Sequence, residues 1–263
     1  MRDDADRSAA MTVAPSTSPQ RLLTWLRLGG TALLDLLFPP RCPGCGRVGD
    51  LFCQNCRTQV EWIPPAVCDR CGRPTAHAGL CDDCRGRSSS LDGIVAAVVF
   101  AGPLREAIHS LKYGNNRALA GALADYMTTA WRRHNHTVDC IVPVPLHVSR
   151  QAERGYNQAA LLAQAIGPAL GLPVNEKLVA RHKATRQQAL LSTAERRANV
   201  KDAFSCQGTA TGLRIVLVDD VCTTGSTLES CATALRAAGA ANIWALTLAR
   251  ARWLPGQPAP DAV

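Results

Sequence analysis

Apolar residues along this chain follow two patterns. Mainly apolar runs occur at residues 94–101 (IVAAVVFA), 139–144 (DCIVPV), 215–218 (IVLV) and 241–248 (ANIWALTL), the length a strand takes when both sheet faces are covered. Residues 173–180 predict a further strand. Between the runs, apolar positions recur every three or four residues. Leu104, Ala107, Ile108 and Leu111 predict a helix over 103–113, with Pro103 in its first turn, and Asn115-Asn116 break it from a second helix over 117–134. Residues 154–170 predict a third helix. Leu228, Cys231, Ala232 and Leu235 predict a fourth, with Gly239 at its C-terminal cap. Strands alternating with helices mean an α/β domain with a mostly parallel sheet, whose ligands bind at the carboxyl ends of the strands.

This α/β domain is expected at 91–250, after a polar seam at 85–90. Ahead of it, 1–20 reads as a disordered polar tail. Residues 21–40 read as an amphipathic helical segment stopped by Pro39-Pro40, residues 41–87 as a small cysteine module, and 251–263 as a second disordered tail. Hydrophobic residues make up 47% of the 263, enough for a substantial core. The longest apolar stretch, 21–38, is interrupted by Arg27, Gly29, Gly30 and Asp35, so no stable membrane insertion is expected. With no secretory signal pattern at the N-terminus, the expected location is the cytoplasm.

Eight of the twelve cysteines come in four pairs, each with two residues between: Cys42 and Cys45, Cys53 and Cys56, Cys68 and Cys71, Cys81 and Cys84. Such a turn places two thiolates on one tetrahedral metal, and two turns complete a four-thiolate zinc site. Gly46 and Gly72 follow the second cysteine of a pair, where a tight knuckle needs glycine. Disulfides are the competing reading, disfavoured in a chain without an export signal. We expect consecutive ribbons, the first four cysteines on one zinc ion and the last four on another, with a cross-braced arrangement as the alternative. About 45 residues with few large apolar side chains need the metal to fold, and four filled positions make each site structural. Eight thiolates and two zinc ions also bring the formal charge from +8 to +4.

Asp219 and Asp220 follow the 215–218 run, and Thr223, Thr224, Gly225, Ser226 and Thr227 lead into the fourth helix. A strand, a hydroxyl-rich glycine turn and a helix start make a phosphate cradle. No lysine stands in the turn, which excludes a P-loop, and there is no GxGxxG. Two carboxylates one ribose-length from a phosphate can accept hydrogen bonds from the two ribose hydroxyls. The competing reading is a buried strand and a capped helix joined by a flexible turn.

This stretch resembles the phosphoribosyl pyrophosphate (PRPP) motif of type I phosphoribosyltransferases. The resemblance assigns the ribose hydroxyls to Asp219 and Asp220, the catalytic acids, and the phosphate to residues 223–227. Cys222 departs from the usual aliphatic residue. The match extends further. Pro143-Val144-Pro145-Leu146-His147, Arg150, Glu153-Arg154-Gly155-Tyr156-Asn157-Gln158, Arg186-Gln187-Gln188, Leu191-Ser192, Glu195-Arg196-Arg197-Ala198-Asn199-Val200 and the opening LLDLLFPPRCPGCG at 33–46 resemble the ComF (ComFC/GntX-like) family. That family implies a double zinc ribbon ahead of a type I phosphoribosyltransferase fold, PRPP with Mg²⁺ as ligand, and pentosyl transfer to an acceptor that is not defined. It also implies a link to competence machinery and DNA uptake. The Pro143, Val144 and Pro145 turn corresponds to the pyrophosphate loop. Arg181, Arg186 and Arg196, in a basic stretch resembling a flexible hood, are candidate pyrophosphate clamps, against the alternative of a solvated helix surface. Arg154 and Asn157 are candidates either for holding that turn or for touching ligand. Lys112-Tyr113 matches the family without a mechanism attached.

From 146 to 201 nine basic residues face three acidic ones, an excess that suits a polyanion. A non-catalytic adaptor that binds single-stranded nucleic acid, with single-stranded DNA as a partner, and uses the fold to sense PRPP is therefore the alternative function. Only 5% aromatic residues, and Asp69, Asp82 and Asp83 in the ribbon, leave few stacking platforms for it.

Overall fold

The computed structural model describes residues 39–77, 79–183 and 203–252. The tail expected at 1–20, residues 21–38, Arg186, Arg196 and residues 253–263 lie outside the described residues.

A short helix, α1 (Gln54–Thr58), lies in the cysteine module. The α/β part runs β1 (Gly93–Val99), α2 (Gly102–Tyr113), α3 (Leu119–Trp131), β2 (Cys140–Pro143), α4 (Val148–Arg154), α5 (Gln158–Leu170) and β3 (Val179–Arg181). It continues with β4 (Phe204–Cys206), β5 (Arg214–Cys222), α6 (Ser226–Ala237) and β6 (Asn242–Arg250). Four parallel strands form a sheet in the order β1-β6-β5-β2, and β3 pairs antiparallel with β4.

Both sheet faces are covered, as the mainly apolar runs predict. Val216 and Val218 of β5, Ile141 of β2, and Leu246 and Leu248 of β6 point into a core shared with Leu104, Ile108, Leu123 and Leu162 of α2, α3 and α5. Their neighbours Ile215, Leu217, Val142, Ile243 and Ala245 point the other way, to Leu228 and Leu235 of α6, Val179 of β3 and Phe204 of β4. The period-two alternation of strands thus divides the core into two layers.

Three elements differ from their expected limits. The helix expected at 154–170 is two helices, because Gly155 adopts a left-handed φ of 76° and ends α4, and Asn157 caps α5 by accepting from Ala159 N at 3.0 Å. The strand expected at 173–180 is divided between a bridge from Val174 to Ile141 and the later β3. β5 continues past its aliphatic run to Cys222, because hydrogen bonding to β6 carries the ladder beyond the point where hydrophobicity stops.

The cysteine module and the α/β part share one core. Cys42, Phe52, Cys53, Cys56 and Val60 belong to the same buried layer as α2 and α3. Trp62 bridges antiparallel to Val98, with Ile63 N donating to Ala97 O at 3.1 Å and Val99 N to Glu61 O at 2.8 Å, so the chain leaving the first ribbon extends the sheet at β1.

At the opposite end of the strands Arg214 grips Asp139 through Nη2 to Oδ1 at 2.5 Å and Nε to Oδ2 at 3.2 Å. The Arg214 side-chain bonds, then its backbone N–H, hold the carboxyl down at about 2. A depressed carboxyl stabilises the fold above its unfolded value and loses that contribution as pH falls through the folded one. Asp139→Asn is therefore expected to be less stable than wild type near neutrality. The difference should close as pH approaches about 2, as read by thermal melts across the acid range.

Candidate functional site

The carboxyl ends of β5 and β2 lie side by side, with Val144 N donating to Val218 O at 2.9 Å. Because side chains alternate along β5, its two acids face opposite layers. Asp220, 4% exposed, points toward α2, where Lys112 Nζ meets its Oδ2 at 2.7 Å. Asp219, half-buried, lies within electrostatic reach of Arg181 on β3, and its Oδ1 accepts from Asp220 N at 2.8 Å.

Their environments separate the two acids. Burial, and then the Asp220 charge, push the Asp219 carboxyl well above the usual carboxylate range. Burial works against ionised Asp220 too, but the Lys112 ammonium outweighs it and holds that carboxyl below the usual range. The two carboxyls are thus pushed in opposite directions, Asp220 toward the ionised form by Lys112 and Asp219 toward the protonated form by burial.

Lys112 is the residue whose role the sequence left open. Sequence matching marks Lys112-Tyr113, but only the fold brings α2 beside β5. Its position is braced. Tyr156 Oη donates to Leu111 O, the Arg117 guanidinium lies 4.6 Å from the Tyr156 ring, and that of Arg154 lies 5.0 Å from the Tyr113 ring. Arg154 also donates to Gln158.

Beyond Cys222 the chain turns through Thr223 and Thr224 to Gly225, at the N-cap of α6 with φ 80°. A β-carbon there would sit in a left-handed backbone and 3.4 Å from Ile94 Cδ1, so glycine suits the position twice over. Thr224 Oγ1 pairs with Ser226 Oγ at 2.8 Å and accepts from Ser226 N at 3.3 Å, which shapes the turn. Gly225 supplies no side-chain cap of its own, and a helix start of this form can receive an anion. Thr227 continues in the first turn of α6.

The Pro143, Val144 and Pro145 turn flanks the acids from β2. Asn157 Nδ2 donates to Val144 O at 3.0 Å while its Oδ1 caps α5, so this side chain holds the turn. Arg154 sits on Tyr113 and Gln158, in a bracing position. Arg181 stacks against Phe204, 5.3 Å from the ring centre, and burial pushes its pKa down.

The eight paired cysteines form two groups, Cys42, Cys45, Cys53 and Cys56, then Cys68, Cys71, Cys81 and Cys84, with sulfurs within 4.8 Å of one another in each. This is the consecutive arrangement; the cross-braced one does not occur. Contacts of 3.5 Å from Cys45 Sγ to Cys53 Sγ and 3.8 Å from Cys71 Sγ to Cys81 Sγ match the edge of a zinc–sulfur tetrahedron, about 3.8 Å, and not an S–S bond. Gly46 and Gly72 take φ of 75° and 66° in the knuckles. Burial opposes ionisation of Cys42 and Cys68, but backbone N–H groups, Cys53 N on Cys42 and Cys71 N and Cys81 N on Cys68 foremost, bring these thiols to about 7 and about 6. The donor sets fit zinc with every ligand from the protein.

Each ribbon backs part of the site. A β-carbon at Gly44 would lie 2.7 Å from Pro103 Cβ, at the start of the helix that carries Lys112. One at Gly72 would lie 2.3 Å from Ile94 O. A cavity of about 880 Å³ lies between the second ribbon and the Gly225 turn, lined by residues including Arg70, Arg73, Ile94, Phe204, Gly225 and Ser226. Among the described residues no helix is long and apolar enough to cross a membrane.

Residues 33–85 match the double zinc ribbon domain, and residues 119–257 match the phosphoribosyl transferase domain. Competence protein F of Haemophilus influenzae is 37% identical over 209 residues, covering 76% of this chain and 90% of the relative. DNA utilization protein YhgH of Escherichia coli K12 is 35% identical, covering 74% and 89%. Competence protein ComFC of Bacillus subtilis is 30% identical, covering 75% and 83%. Among solved structures, the glutamine PRPP amidotransferase of B. subtilis aligns with 52% of this chain and 26% of its own at 23% identity, with a TM-score of 0.32. The fold assignment is carried by the domain match and the strand order, not by that superposition.

Proposed function

Since the chain belongs to the competence protein F (ComF) family, with a double zinc ribbon ahead of a phosphoribosyl transferase domain, we propose that it binds PRPP with Mg²⁺ and transfers phosphoribose to an acceptor. The observation that carries this reading is the placement of Asp219 and Asp220 at the end of β5, directly ahead of the Gly225 turn.

In this reading the 5-phosphate sits on the turn formed by Thr223, Thr224, Gly225, Ser226 and Thr227, and the ribose hydroxyls donate to carboxyl oxygens of Asp219 and Asp220. Lys112 keeps Asp220 ionised and able to accept while it is buried. The pyrophosphate lies along the Pro143, Val144 and Pro145 turn, with Arg181, Arg186 and Arg196 as its cationic clamps. Transfer breaks the bond from C1 to the pyrophosphate oxygen, which leaves with the electron pair, as the acceptor's nucleophile bonds to C1. When bound with the pyrophosphate, Mg²⁺ would supply Lewis-acid charge to the leaving group.

Isothermal titration with PRPP and Mg²⁺ tests the assignment. Asp220→Asn should weaken binding about 10- to 100-fold, the worth of a charge-assisted hydrogen bond, Asp219→Asn should weaken it less, and the double variant should show no measurable heat. Binding of the double variant equal to wild type would move the sugar phosphate elsewhere.

The printed names of the relatives, competence and DNA utilization proteins, support a second role in handling DNA, with single-stranded DNA and competence proteins as partners. If the basic residues between 146 and 201 provide it, affinity for an oligonucleotide should fall steeply as salt rises. A flat salt response would remove this role.

A further inference from the structure

Thr247 lies within β6 and is fully buried. Its chain neighbours Ala245, Leu246, Leu248 and Ala249 are all apolar, and its Oγ1 has no hydrogen-bond partner among the described residues. A valine has nearly the same shape, suits a strand as well, and would avoid the cost of burying a hydroxyl unpaired. Packing therefore gives no reason for the hydroxyl.

The sheet register shows where that hydroxyl sits. β6 runs between β1 and β5, and Thr247 is level with Ala96 on one side and Asp219 on the other. Register partners on these parallel strands share a face. Leu217 and Ala245 both lie in the α6 layer, and Val218 and Leu246 both lie in the opposite one. Asp219 and Thr247 come next in their strands, so both stand on the α6 side of the sheet. Ala96 brings no polar side-chain atom to this row, which leaves the Asp219 carboxyl. Adjacent strands are about 4.8 Å apart, so a change of side-chain torsion is enough to bring hydroxyl and carboxyl together. Asp220 N already fixes one carboxyl oxygen, donating to Asp219 Oδ1 at 2.8 Å.

We propose that Thr247 is a positioning residue for Asp219: when a ribose hydroxyl bonds to Asp219, the Thr247 hydroxyl donates to the same carboxyl and fixes its orientation. Thr247 touches neither the sugar nor the phosphate. The inference rests on the reading that Asp219 receives a ribose hydroxyl of PRPP. A donated hydrogen bond favours the ionised carboxyl, which gives the role a pH signature. Asp219 faces Asp220 and Cys222 of its own strand, Lys112 of α2, Arg181 of β3 and Cys231 of α6. Burial pushes both thiols up, so they stay uncharged, and Lys112 pushes Asp220 toward the ionised form. The benefit from Thr247 is full where Asp219 is ionised and fades as acid protonates it.

Isothermal titration of the full chain with PRPP and Mg²⁺, beside thermal melts, tests the role. Thr247→Val should melt no lower than wild type, because an unpaired hydroxyl gives way to a methyl group. It should nevertheless bind PRPP about 10-fold more weakly at neutral pH, and the gap should narrow as pH falls. Thr247→Ser, which keeps the hydroxyl, should recover most of the affinity. If the valine variant does not accumulate, Thr247→Ala against Thr247→Ser carries the comparison. In the Asp219→Asn background the loss from Thr247→Val should be smaller, because the carboxylate it serves is gone. Equal affinity of wild type and Thr247→Val, a loss that does not change with pH, or a serine variant as weak as the valine one would overturn the positioning role and leave the PRPP reading standing. Absence of titration heat in wild type would instead sink the PRPP reading, and this role with it.

Discussion

Removing zinc from this chain is expected to loosen α2 and the β1 edge as well as the ribbons. Cys42, Cys53 and Cys56 are 0–1% exposed and share a buried layer with Leu104, Ile108 and Leu123. The segment leaving the first ribbon is hydrogen bonded to β1. Structural zinc contributes about 10–16 kcal/mol of apparent binding energy in isolated zinc fingers, nearly all of it folding energy. If only a third of that reaches the shared core, the loss is about 4 kcal/mol, or roughly 8–16 °C in melting temperature for a domain of this size. Cys53→Ser should reproduce most of the effect alone, because it removes a ligand at a fully buried position. Hydrogen exchange provides the decisive measurement. The amides of α2 and β1 should lose protection in the metal-free chain together with those of residues 41–63. Unchanged protection there, with the ribbon alone exchanging freely, would mean the module is an appendage.

Lys112→Met should be the most damaging single change in the candidate site. It leaves Asp220 buried and without the ammonium 2.7 Å away, and breaking one side of a buried pair costs about 3–5 kcal/mol. The effect depends on pH in a definite direction. In wild type the Asp220 carboxyl lies below its unfolded value, so its pair adds stability above that value and loses it as pH falls through the folded one. Without Lys112, burial alone raises the carboxyl, and the deficit shrinks as acid protonates it. Adding Asp220→Asn to Lys112→Met should recover much of the lost stability, since no uncompensated charge remains. Denaturant melts of the four proteins at neutral and mildly acidic pH give the double-mutant cycle. A coupling energy near zero at neutral pH would show that the contact does not hold the carboxylate. On the proposed function, Lys112→Met should also weaken PRPP binding, because Asp220 would no longer be held ionised.

Much of this was legible before the fold was known, for identifiable reasons. The two-residue spacing within each cysteine pair is local chemistry: four thiolates within one ribbon are brought together by two short turns. The turn around Gly225 is local as well, since a strand end, a left-handed glycine and a helix start are consecutive in the chain. The limits of β5 were less legible, because pairing with β6 across the sheet, not its own hydrophobicity, extends it through Asp219 and Asp220. Gly155 shows the same limitation on the helical side. Periodicity ran across it, and only its left-handed backbone divides α4 from α5.

The sequence by itself determined the alternation of strands and helices, the two four-cysteine zinc sites and the acid–acid–hydroxyl order ahead of α6. Each depends on residues near one another in the chain, the widest cysteine site running the 16 positions from Cys68 to Cys84. Tertiary structure alone decided that Lys112 meets Asp220 from 108 positions away, that Asp219 and Asp220 face different layers, and that Arg250 lies buried beside Cys222. Those pairings require the parallel crossovers that bring β5 beside β6 and α2 over the end of the sheet. A charge is matched to its partner only after that packing has excluded water, and no local pattern in the chain carries that information.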